Sequence, residues 1–254
     1  MSNLNRRRWA SIVLFSAITA SAAMAQPAQP KIRRVAFYTV KADRVGDFLA
    51  ATKEYAAAVQ KSGGTRYLSM WQSMSGNREY AQVRYYQNYA ELDDQRDPKL
   101  KDIAGDLATI VARIMATVES SRTVISALDA ETSLPLPSGQ TQAYARVLQT
   151  WVRPDQFNNY QALIKAEILP AAKKAGIKLY SRARVRMGGS SYEFSSVTGF
   201  DKWAEFDGDS PIVKAMGGRA AYEKFLAKMQ PMIVRNEVQI YRFLKDQSYL
   251  PPGS

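Results

Sequence analysis

Apolar and polar residues alternate along this chain in two rhythms that follow each other in a fixed order, and then the order repeats. Val35–Lys41 is rich in β-branched and aromatic residues and predicts a strand. After Asp43, placed to cap a helix, Val45, Phe48, Leu49, Thr52, Tyr55 and Val59 recur at helical spacing until Gly63-Gly64. Arg66–Ser73 and Glu79–Tyr86 predict a hairpin around Ser75-Gly76-Asn77. Leu100, Ile103, Leu107, Ile110, Val111, Ile114 and Val118 trace a second amphipathic helix, and Arg122–Ser126 a closing strand.

The second half reads the same way. Arg146–Val152 is a strand, and Asp155 stands ahead of a helix carrying Phe157, Tyr160, Leu163, Ile164 and Ile168, in which Pro170 predicts a kink. Lys178–Met187 and Tyr192–Thr198 form a hairpin about Gly188-Gly189. Ala220–Arg235 predicts a helix kinked at Pro231, and Glu237–Phe243 a last strand. Sliding the chain by 112 residues aligns Val40–Tyr80 with Val152–Tyr192 without a gap. The identities are Val40/Val152, Asp43/Asp155, Ala50/Ala162, Lys53/Lys165, Lys61/Lys173, Gly64/Gly176, Ser69/Ser181, Gly76/Gly188 and Tyr80/Tyr192. The expected organisation is a first βαββαβ unit over 32–126, a linker over 127–140, a second unit over 141–244 and a loose tail over 245–254.

A four-stranded antiparallel sheet with two helices on one face leaves its other face in need of cover. A second copy in the same chain supplies it. On this element order, the Lys-Lys-Ala-Gly run (173–176) ahead of a strand, the glycine-containing hairpins and the Tyr80/Tyr192 match, the chain resembles the dimeric α+β barrel superfamily. The arrangement is similar to the tandem one of NIPSNAP-like and antibiotic-biosynthesis-monooxygenase-like proteins. The resemblance implies an α+β fold of two tandem ferredoxin-like units packed as a pseudo-dimeric barrel. Whether the sheets close within one chain or between two chains stays open, so monomer and homodimer are both expected forms.

Ahead of this body, Arg6, Arg7 and Arg8 precede a mildly apolar stretch, Ser11–Ala25, ending in Ala23-Met24-Ala25. That order reads as a Sec-type signal peptide over 1–25, cleaved after Ala25, and places the protein in the periplasm or outside the cell. At 15 residues the stretch is short of the roughly 20 that span a bilayer, so no stable membrane anchor is expected.

Composition removes many activities. Among 254 residues there is no histidine and no cysteine. Ser-His-Asp and Cys-His nucleophiles, zinc sites built from His or Cys, His- or Cys-ligated haem, iron–sulfur clusters and disulfides are all excluded. No cofactor and no metal site are expected. Net charge is +12, but the bases are scattered, often beside acids, which argues against a nucleic-acid partner.

The candidate site is the lumen between the sheets. With Ala81, Val83 and Tyr85 taken to face the helices, alternation turns Tyr80, Gln82, Arg84 and Tyr86 inward. The 112-residue offset adds Tyr192 and Phe194, and the strand patterns add Gln149, Trp151 and Tyr241. Aromatic walls with a few polar groups suit a small apolar or aromatic ligand. Arg182, Arg184 and Arg186 read as the wet face of a strand, and Asp201, Glu205, Asp207 and Asp209 as solvated loop acids. The resemblance also implies a cofactor-independent monooxygenase or isomerase, and an interaction module is a third reading. No catalytic residue is assignable from spacing.

Overall fold

A computed structural model describes residues 29–65, 67–93, 97–136 and 142–250 of the chain. The expected signal segment lies outside the described residues. The elements run β1 (Ile32–Val40), α1 (Val45–Lys61), β2 (Leu68–Ser73), β3 (Tyr80–Tyr86), α2 (Ala90–Asp93), α3 (Ala104–Thr117) and β4 (Val118–Leu128). The second half follows as β5 (Tyr144–Val152), α4 (Phe157–Leu163), a π-turn (Ile164–Ile168), α5 (Leu169–Lys174), β6 (Tyr180–Met187) and β7 (Glu193–Phe200). It ends with α6 (Pro211–Ala215), α7 (Arg219–Met229) and β8 (Ile233–Tyr249).

Each half forms an antiparallel sheet in the same order, β4-β1-β3-β2 and β8-β5-β7-β6. The two sheets join edge to edge, β2 with β8 and β4 with β6, so one chain closes an eight-stranded barrel. Closure pairs every strand on both sides, which removes the exposed edges an open sheet would present. A closed ring of antiparallel strands therefore separates an inner face from an outer face covered by helices.

The outer face holds a core in each half, that of the first half divided into one cluster around Phe48 and another of Val59, Leu107 and Ile110. Phe48 of α1 packs with Val40, Met70 and Tyr80, and Tyr160 of α4 packs with Val152, Tyr180 and Phe194. The hairpin glycines keep the ring tight. Gly188 has φ +81, and a Cβ there would lie 2.0 Å from the Thr123 carbonyl oxygen on β4, so no side chain fits where β6 turns beside its neighbour.

Several local expectations are corrected. Neither Asp43 nor Asp155 makes a side-chain cap, and each sits instead inside a first 3-10 turn. Pro170 does not simply kink a helix. It follows a π-turn in which the Leu169 N–H reaches back five residues to Ile164, so the turn without a proline donor is absorbed by widening the helix. Pro231 ends the helix expected over Ala220–Arg235: α7 stops at Met229, a 3-10 turn spans Gln230–Met232, and β8 begins at Ile233. The expected linker starts inside a strand, since Ala127 and Leu128 belong to β4. The expected loose tail is ordered as far as Tyr249, because β8 runs on across α1. There Ser248 accepts the Met70 N–H, and Tyr249 donates to the Gly64 carbonyl at 2.6 Å.

Candidate functional site

The inner face is identified by a cluster drawn from strands alone and from both halves. Trp71, Ala81, Ala145 and Tyr241 are buried together, with Val35, Phe37, Val83, Val147, Val197 and Phe243 packed against them. Strand alternation carries this face through the odd-numbered residues of β1, β2, β3, β5, β7 and β8. Gln149, Trp151 and Tyr241 are on it.

The other residues expected there are not. Tyr80 and Phe194 face outward, packing at a tilt against Phe48 at 4.8 Å and Tyr160 at 5.4 Å beneath their helices. Gln82, Arg84 and Tyr86 share the outward face of Tyr80, and Arg84 donates to the Tyr55 hydroxyl on α1. Tyr192 meets Phe157 edge-on at the outer side. The physical reason is that both faces of these sheets are covered. A strand buried on two sides has no polar face to mark the outside, and its smaller residues, Ala81 and Val83, sit in the lumen while larger rings lie under the helices.

The halves also slip against each other. Phe48 and Tyr160 are 112 residues apart, but their ring partners Tyr80 and Phe194 are 114 apart, so the second hairpin is two residues longer. Glu193, not Ser191, therefore stands where Glu79 stands in the first half. Both carboxylates are buried on the inner face, Glu79 just ahead of β3 and Glu193 at the first residue of β7. This symmetry was hidden by the ungapped alignment; allowing a hairpin insertion would have exposed it.

Near each carboxylate an arginine leans over an aromatic ring, and in the first half it also pairs with the acid. Arg122 lies 3.7 Å above the Phe37 ring and pairs with Glu79 at 3.3 Å. Tyr241 donates a 2.6 Å hydrogen bond to the same carboxylate, and the Gln239 amide lies 2.9 Å from that hydroxyl. Burial and the negative Glu79 push the Tyr241 phenol far above the ordinary tyrosine range. Arg235 lies 4.0 Å above Trp151, but its ion-pair partner is Glu237 at 3.1 Å. Burial raises the Glu193 carboxyl above its ordinary value, against a smaller opposing pull from the Ser190 backbone, from Arg122 and Arg235, and from its bond to Trp151.

A second polar group sits on the inner face at Arg33. Its Nη2 donates to Ser195 Oγ on β7 at 2.8 Å, a bond that crosses the lumen from one half to the other. Tyr85 is its register partner on β3. Tyr85 keeps 42% of its surface exposed, yet burial raises its phenol pKa, with Arg33 opposing. Tyr85 lies one register pair from the Ile32/Tyr86 end of its ladder, so its open surface marks an accessible end of the lumen. Val35, Val83, Val147, Val197 and Phe243 likewise keep partial exposure on the inner face.

Other charged groups serve the scaffold. Arg182, expected on a wet face, is 0% exposed under α4, packed over Tyr160 and Phe194 and bonded to Thr132 and Ser196, with Asp129 at 3.8 Å. It ties the loop after β4 to the second unit. Arg184 stacks on Phe157, leaving Arg186 as the exposed member of the three. Of the loop acids, Glu205 accepts the Asp201 and Lys202 N–H groups and Asp209 pairs with Arg219. Among the described residues no three acidic side chains gather as a metal-ligand set. A surface groove of about 310 Å³ between α1 and α3 is lined by Arg44, Asp47, Glu54 and Arg113, whose charges pair with one another.

No family model matches the chain, and no curated protein matches it by sequence. Solved structures do match. A candidate monooxygenase from Lactobacillus acidophilus NCFM superimposes with a TM-score of 0.61 at 11% identity, over 87% of this chain and 97% of its own. An anthrone oxidase-like protein gives 0.55 at 10%, over 85% and 92%. A haem-binding protein from Thermus thermophilus gives 0.51 at 8%, over 87% and 94%. At such identities the likeness is one of fold. With two ferredoxin-like sheets of identical strand order closed edge to edge, the chain has the dimeric α+β barrel fold, both halves supplied by a single polypeptide.

Proposed function

We propose that the protein is exported and binds a small apolar or aromatic molecule in the barrel lumen. The observation that carries this reading is the partly accessible inner face, apolar in contributions from both halves and bounded by Trp71, Phe37 and Phe243. Water against such a face has few partners, and an apolar guest displaces it favourably. Closure within one chain means that a monomer already has the complete lumen. Thermal shift and native mass spectrometry of the chain lacking residues 1–25, against a panel of aromatics and isoprenoids, test it. Stabilisation by one chemical class, with quenching of Trp71 fluorescence, is the expected result. No ligand-dependent change across the panel overturns it. Fractionation of expressing cells tests export, with a periplasmic, shortened chain expected.

One observation favours a second reading, a cofactor-independent monooxygenase. Glu193 is a buried carboxylate with a raised pKa on the inner face, suited to take a proton from a carbon acid held against it. Anthrone is a probe suggested by the anthrone oxidase-like neighbour. Its oxidation consumes one O2 and yields anthraquinone and one water, so no external reductant is needed. Oxygen uptake that the Glu193→Gln variant lacks supports this reading, and uptake at the uncatalysed rate rejects it.

Haem does not fit this lumen. The chain has no histidine or cysteine to ligate iron, and the Tyr241 hydroxyl on the inner face is committed to Glu79.

A further inference from the structure

We propose that Arg33 is an anion receptor in the lumen, and that the molecule bound there is an apolar monocarboxylate whose head group meets Arg33 and Tyr85. The proposal rests on the reading of the lumen as a binding cavity and names the chemistry of its guest.

Arg33 is 4% exposed, and among the described residues its side chain makes a single hydrogen bond, to the neutral Ser195 hydroxyl. Its Nε has no partner. No carboxylate among the described residues pairs with it. Removing a guanidinium from water is costly, and proteins offset that cost with counter-charges and full hydrogen bonding. Arg182 shows the contrast within the same chain. It too leaves one donor, Nη2, without a partner, but it has the Asp129 carboxylate 3.8 Å away, hydrogen bonds to Thr132 and Ser196, and two aromatic rings against its plane. Arg182 is a strut. Arg33 is an equally buried charge with no acid among the described residues beside it.

Tyr85 stands beside it with a hydroxyl that makes no hydrogen bond among the described residues and with open surface at this end of the lumen. A planar guanidinium edge and a phenol together present the donor set a carboxylate accepts. The next inner-face residues along β1 are Val35 and Phe37, which places about 13 Å of apolar wall between this donor pair and the Glu79–Arg122 group. That length suits a two-ring aromatic acid or a medium-length fatty acid. The far group already contains its own carboxylate, which repels a second anion, so the head group is directed to Arg33.

The duplication provides an internal comparison. The register pair Arg33/Tyr85 of the first unit corresponds to Ala145/Gly199 in the second. Where one half places two large polar side chains, the other has the two smallest residues, as a one-ended site requires and a symmetric packing core does not.

The test compares 2-naphthoate with its neutral isostere 2-naphthamide by titration calorimetry on the chain lacking residues 1–25. The wild type is expected to bind the acid about ten- to hundredfold more tightly, the range for a hydrogen bond to a charged group. Arg33→Met is expected to bring the acid down to the affinity of the amide while leaving the amide unchanged. It is also expected to raise the melting temperature of the ligand-free protein by removing an unpaired buried charge. Equal affinities for acid and amide in the wild type overturn the anion receptor and leave the apolar lumen standing. A preference that survives Arg33→Met places the anion elsewhere and overturns it too. Binding of neither probe overturns this proposal, and the lumen reading is then decided by the wider panel of aromatics and isoprenoids. If Arg33→Met does not fold, Arg33→Lys keeps the charge but loses the fork, and an unchanged acid-to-amide ratio then overturns the proposal.

Discussion

Glu193 is where two influences oppose each other, and its substitution separates them. Burial raises its carboxyl pKa above 4.5, with the surrounding hydrogen bonds and arginines pulling the other way by less. A raised folded-state pKa means that the fold favours the protonated acid. Its contribution is fully present below the unfolded value and is lost as pH rises through the folded one. Urea unfolding from pH 4 to pH 8 is therefore expected to show wild-type stability falling relative to Glu193→Gln across that window. A constant difference would contradict the assignment. Tyr241→Phe removes the 2.6 Å bond to the buried Glu79 carboxylate and leaves it to Arg122 alone, and is expected to cost about 1.5–3 kcal/mol in the same assay. These residues were hard to read in the chain. Glu79 and Glu193 look like ordinary hairpin acids until a two-residue insertion is allowed between the halves, and Arg33 sits in an Arg33-Arg34 pair of which Arg34 faces outward. Tyr241, Trp151 and Gln149 were legible because their strands alternate more clearly.

Among the elements, β8 departs most from its sequence pattern. Residues 245–249 include Lys245, Asp246 and Gln247, and such polarity at a chain end reads as a tail. Their order comes from tertiary contacts that no local pattern records. Lys53 pairs with Asp246, Tyr249 stacks on Tyr67 at 5.0 Å, and Ser248 accepts the Met70 N–H. Truncation after Leu244 is expected to lower unfolding free energy by about 3 kcal/mol, counting one half-buried aromatic side chain and two hydrogen bonds. A loose tail would instead be removable without effect. The helices divide similarly. α1 and α3 follow their apolar spacing, whereas α7 ends early at a proline that the periodicity runs straight through.

For the whole molecule, the sequence repeat led directly to the architecture, because an uncovered sheet face is a physical demand that only a second sheet of like size meets. The facing of individual strands was not legible, since a barrel wrapped in helices buries both sides. Closure through β2–β8 and β4–β6 implies that neither half is self-sufficient. Residues 29–136 produced alone are expected to expose Trp71, Phe37 and Val83 and to bind 1-anilinonaphthalene-8-sulfonate. Mixing with residues 137–250 is expected to abolish that fluorescence and give a 1:1 complex by light scattering. A well-folded, dye-silent single half would contradict the interdigitated closure. Two identical subunits related by a dyad must show every side chain twice, so whatever they enclose sees the same surroundings at both ends. Joining the subunits in one polypeptide lifts that obligation, and here the register pair Arg33/Tyr85 faces a counterpart reduced to Ala145/Gly199. A guest in such a chamber has a head and a tail, can lie only one way round, and presents one of its two faces to Glu193: handedness becomes something the protein can read.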